Sequence, residues 1–118
     1  MPAVARLVTT AELAGTEPFS VRVLHEAELP DGRRVLLLAD RGFTSSGPYD
    51  SPAEIEAEAR TVVGPDEPFS ERTSEDMAAG HWAALAERLR SQGVETTAAE
   101  LRQAPHDVVL SERLRRQA

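Results

Sequence analysis

Proton transfer near neutral pH calls for histidine, and the chain has three: His25, His81 and His106. His25 falls among Val23, Ala27 and Leu37 on the apolar face of an expected β-hairpin, whose register sets neither a carboxylate nor a hydroxyl opposite it. Around His81, the residues three and four positions away are Met77, Ala78, Ala84 and Leu85. None is a metal ligand, so a two-ligand zinc site on one helix face is excluded. His106 and Asp107 adjoin at an expected helix start, where the aspartate would cap and the ring would face water. The runner-up reading is a small enzyme with a histidine-carboxylate pair assembled from distant residues.

Other chemistries fare no better. Gly42-Phe43-Thr44-Ser45-Ser46-Gly47 invites comparison with a nucleophile elbow, but that motif needs glycine on both sides of its serine and a strand running straight into a helix. Here position 43 is phenylalanine and the next helix opens only at Pro52, leaving at most an incidental anion-binding loop. The carboxylates Asp66, Glu67, Glu71, Glu75 and Asp76 lack the alternating spacing of a calcium loop and read as a solvated face. There is no cysteine and no lysine, all thirteen basic residues being arginine. Disulfides, thiolate chemistry, Schiff bases and a phosphate-loop lysine are thereby excluded. The sequence assigns no catalytic residue, cofactor or metal.

The elements that would position these residues are easier to read. Phe19 to Phe43 reads as a β-hairpin around Leu29-Pro30-Asp31-Gly32-Arg33, with proline and aspartate forming the turn and glycine closing a three-residue loop in the left-handed region. This turn pairs Phe19 with Phe43, His25 with Leu37 and Ala27 with Val35 on one face. The other face pairs Arg22 with Asp40 and Glu28 with Arg34, and groups Leu24, Leu36 and Leu38 in its middle, so covers are expected on both. Residues 3–14 are read as a third strand followed by a turn, with a short helical turn as the alternative.

Four helices are expected. Ser51-Pro52-Ala53-Glu54 has the form of a capping box opening a helix over 52–63, with Ile55, Ala59, Val62 and Val63 as its apolar stripe. Ala78, Trp82, Leu85 and Leu89 repeat at helical spacing over 74–92, with Trp82 as the expected core anchor. Thr97 and Glu100 suggest a short helix over 97–103. Asp107 suggests another over 107–117, although Val108-Val109-Leu110 also fits a buried strand. The fold class is α+β: one compact domain with an antiparallel sheet of two or three strands and three to four helices.

The formal charge of −7 over 118 residues favours basic partners and opposes nonspecific attraction to nucleic acid. A helix-turn-helix over 74–118 is a second alternative, disfavoured by that charge and by Glu112 on the would-be recognition helix. No run of the sequence reaches membrane-spanning length, and the expectation is a soluble cytoplasmic protein. The leading functional expectation is a small acidic protein-binding module, of the inhibitor, immunity or accessory kind, acting on a more basic protein. Leu24, Leu36 and Leu38, with Arg22 and Asp40 at their rim, form the expected contact patch, which a homodimer would share.

Overall fold

A computed structural model describes residues 3–16, 19–45, 51–66 and 71–116. Four strands, β1 (Arg6–Thr16), β2 (Phe19–Glu28), β3 (Arg34–Ser45) and β4 (His106–Leu110), form one sheet in the order β3-β2-β1-β4. The helices are α1 (Pro52–Val62), α2 (Ser74–Ser91), α3 (Ala98–Gln103) and α4 (Glu112–Arg116). The class is α+β with a mixed sheet, since β4 runs parallel to β1 whereas β1, β2 and β3 form an antiparallel meander.

The turn forms as its chemistry dictates. Leu29 and Gly32 close it through backbone bonds, Gly32 adopts φ 91°, and the Asp31 carboxylate accepts from the Arg33 backbone N–H at 3.0 Å. Next to it the expected register holds, with Ala27 opposite Val35 and Glu28 opposite Arg34. Beyond it the register slips twice. His25 faces Leu38 rather than Leu37, Val21 faces Phe43, Phe19 faces Ser45, and Arg22 faces Gly42 rather than Asp40. The cause lies in packing, because Leu37 is fully buried on the helix side and Leu38 also turns toward the core. Two consecutive leucines cannot both point inward from a regular strand, and a bulge accommodates them. At Gly42 the strands approach so closely that a Cβ would stand 2.6 Å from the Val21 carbonyl oxygen, so only glycine fits there.

Two further expectations are corrected. The third strand expected within 3–14 forms as β1, but neither the turn nor the helical alternative follows it, since β1 runs from Arg6 to Thr16 and occupies an interior place in the sheet. The helix expected over 107–117 is instead β4 followed by the five-residue α4. The β-branched Val108 and Val109 suit a strand, and β1 offers them a free edge.

All four helices bury their apolar residues on one face of the sheet. Ile55, Ala59 and Leu114 pack with Ala11, Val21 and Val23, whereas Leu85, Leu89 and Leu101 pack with Leu7, Ala27 and Leu37. Trp82 packs only at the margin of this second cluster, whose helical centre is Leu89 and Leu101. Caps follow the same local logic with one exception. Thr73 and Asp76 form a reciprocal capping box and Thr97 caps α3, but the Ser51 side chain makes no cap bond. The result is a two-layer slab measuring 41 × 41 × 20 Å.

Candidate functional site

With every described helix on one side, the other face of the sheet lacks a helical cover among the described residues. Strand alternation places Arg22, Leu24, Glu26 and Glu28 of β2 there, beside Arg6, Val8, Thr10 and Glu12 of β1 and Asp107 and Val109 of β4. Leu36 joins them from β3 opposite Glu26. Leu24 is 40% exposed, Leu36 38% and Val109 46%, whereas Val8 in their midst is 1% exposed. Val8 belongs to neither helix-side cluster.

Ion pairs frame one end of this patch. The Arg6 guanidinium donates to Glu28 through Nε at 2.6 Å and Nη2 at 3.2 Å, and to Asp107 through Nη1 at 2.6 Å. Arg34 adds a bond to Glu28 at 3.3 Å. These contacts tie β4, β1, β2 and β3 together across the face. They also hold the Glu28 carboxyl below its ordinary pKa, the Arg6 hydrogen bond being the largest cause, and raise that of Arg6.

Of the five residues expected at a contact patch, Leu24, Leu36 and Arg22 are exposed on this face. Asp40 is exposed at the bulge opposite Leu24 and approaches Arg41 Nε at 3.9 Å instead of pairing with Arg22. Leu38 leaves the patch for the core because the bulge turns it over. Val8 and Val109 join instead, and no hairpin-only reading of the sequence could have found them.

On the helix side, a polar seam separates the two apolar clusters. The Thr9 hydroxyl lies 2.8 Å from Nδ1 of His25 and 2.6 Å from Nε2 of His106, and the two rings meet edge to face at 5.2 Å. One hydroxyl carries one proton, so Thr9 donates to one imidazole and accepts from the other, which orders both rings. Thr9 is 0% exposed and His25 2%, so half-buried His106 is the outer end of this chain of hydrogen bonds. Burial pushes His25 down to about 4, with smaller contributions from His106 and His81. His106 is also lowered, first by burial and then by Arg60, whose Nη1 donates to the His106 carbonyl at 2.9 Å, while Asp107 opposes the shift.

Sequence reasoning missed this bridge because Thr9 was placed in a turn. Extending β1 through Thr9 and pairing it antiparallel with β2 would have set it opposite His25. His81 stands apart on α2, its Nε2 enclosed and without a hydrogen-bond partner among the described residues. Its pKa is lowered by burial and then by Arg41, against smaller opposing effects of Asp66 and the Val63 backbone. Among the described residues no group of three or more histidine, aspartate or glutamate side chains is arranged to hold a metal ion.

The helix-turn-helix alternative loses its recognition helix to β4, and the glycine-serine stretch is part of β3 as far as Ser45, its remainder lying outside the described residues. No helix is long and apolar enough to cross a membrane. No protein-family model matches the chain, and no curated protein and no solved structure matches it significantly.

Proposed function

We propose that the protein is a small acidic binding module that docks the open face of its sheet onto a more basic protein. The observation that carries this reading is the co-facial exposure of Leu24, Leu36 and Val109 on the face that also carries Val8, with Glu26 and Thr10 between them and charged residues about them. Charge argues for the kind of partner. The rim sets Glu12, Glu26, Glu28, Asp40 and Asp107 against Arg6, Arg22 and Arg34, and the whole chain carries −7. A partner with a positive surface would be steered to this face, whereas a second copy would bring the same excess of carboxylates. Size also suits docking. Strand spacing of roughly 4.8 Å and a rise of roughly 3.3 Å per residue give a face on the order of 500 Å². That approaches the roughly 800 Å² each partner buries in a standard interface.

The test is the double variant Leu24→Ser/Leu36→Ser, used beside the unaltered chain as bait against lysate of the source cells. The expected result is capture of a basic protein by the unaltered chain, lost with the double variant and weakened by salt, with the two baits sharing nearly the same thermal midpoint. Sedimentation supplies the contrary outcome: a dimer of the unaltered chain that the double variant converts to monomer would identify the occupant as a second copy. Equal capture by both baits would remove the open face from the function altogether.

A further inference from the structure

On the helix side of the sheet, away from the docking face, β3, the first three turns of α2 and the residues Asp66 and Arg72 line an open cleft of about 350 Å³. That volume falls within the range of small-molecule sites, which runs from roughly 300 Å³ upward. Leu38, Met77 and Leu85 give it an apolar wall, and Arg41, Arg72, Asp66, Asp76 and His81 a polar one. We propose that this cleft binds a small carboxylate with an apolar body, its carboxylate held by Arg41.

The distribution of hydrogen bonds selects the sign of the ligand. Both acidic groups are already engaged: Asp66 accepts from Arg41 Nη1 at 3.1 Å, and Asp76 accepts from the Thr73 backbone N–H at 3.3 Å. Arg41 spends Nη1 on Asp66 and on the Val62 carbonyl at 3.2 Å, while its Nε stands 3.9 Å from Asp40, too far for a hydrogen bond. Among the described residues its Nη2 makes no hydrogen bond, while Nε makes only the long ion pair with Asp40, so the guanidinium retains donor capacity for an anion. The His81 pKa is lowered first by burial and then by Arg41, with Asp66 opposing.

Gly80 is the second observation. A glycine inside a helix costs about 1 kcal/mol relative to alanine, and it is kept where close packing or an unusual backbone demands it. Neither applies here, because a Cβ at Gly80 would meet no atom within 4 Å and its φ is not positive. What the missing side chain provides is an open mouth to the cleft. Met77 opposite is an adaptable wall, since thioether side chains mould to varied apolar shapes.

Sodium benzoate is the probe, with neutral benzamide of the same shape as its control, both at constant ionic strength. The sequence has only two methionines, so the Met77 methyl is readily followed by carbon-proton correlation NMR. Benzoate should move that methyl saturably, and benzamide should bind at least tenfold more weakly. Gly80→Leu, whose Cβ meets no atom within 4 Å and which improves helix propensity, should block the mouth and weaken benzoate at least tenfold while the fold persists. Arg41→Gln should weaken benzoate and leave benzamide unchanged. No methyl shift into the millimolar range, equal shifts with benzamide, or unaltered benzoate binding in either variant would each overturn the proposal.

Discussion

At the scale of single residues, the Thr9 bridge makes the firmest predictions. His25 is neutral in the folded chain because its pKa is pushed to about 4, below the ordinary 6.5. Above pH 6.5 neither folded nor unfolded His25 carries the proton, so the group adds no pH dependence. Between pH 6.5 and 4 the unfolded chain takes up a proton that the folded chain refuses, and stability falls as pH falls. The full difference is about 3.5 kcal/mol at roughly 1.4 kcal/mol per pKa unit, about 2.5 of it reached by pH 4.5, and urea unfolding at pH 7.5 and at pH 4.5 checks it. Thr9→Val keeps the shape and removes the hydroxyl, leaving buried His25 and half-buried His106 without their shared partner. A loss of about 1–3 kcal/mol is expected, with Thr9→Ser restoring part of it in the same measurement. The bridge was illegible in the sequence for a simple reason: Thr9 and His106 are 97 residues apart, and nothing local to either announces the other.

At the scale of elements, turn chemistry was legible and packing was not. Pro30, Asp31 and Gly32 specify their loop through their own backbone preferences, so the adjoining pairs Ala27–Val35 and Glu28–Arg34 followed from sequence. The bulges farther along depend on Leu37 and Leu38 both finding room in the core, which alternation alone does not encode. Neighbouring leucines consequently differ in worth. Leu37→Ala should cost about 2–5 kcal/mol, whereas Leu36→Ser, on the open face, should cost well under 1, and chemical denaturation of the pair reads the difference. Gly42→Ala should also destabilise, by about 1–3 kcal/mol, because its methyl group would push directly on the Val21 carbonyl and part β2 from β3. The same denaturation assay tests it, and an unchanged midpoint would refute the close approach. The cap at Thr97 was legible and its side chain does bond, whereas Ser51 misled, Pro52 alone marking that helix start, and the reciprocal box of Thr73 and Asp76 was not read from the sequence.

At the scale of the whole molecule, the sequence showed an α+β chain but not which strands lie inside the sheet. The hairpin read as the organising unit because its turn is local, yet the interior strands are β1 and β2, and β3 is an edge. The parallel pairing of β1 with β4 has a consequence for synthesis. A nascent chain can assemble β1, β2 and β3 by neighbouring connections soon after they leave the ribosome, but the free side of β1 stays unpaired until His106–Leu110 has emerged. Until then Leu7 to Ala11 presents a bare row of backbone donors and acceptors, the kind of edge that recruits strands from other chains. A chain stopped before His106 should therefore associate through β1 and sediment as oligomers, whereas the chain carried through Leu114 should not. Supplying a peptide of the β4 sequence in trans should suppress that association by occupying the vacant edge. Translation speed between Ser45 and Leu110 thus becomes a determinant of yield, because it sets how long the half-built sheet waits for its last strand.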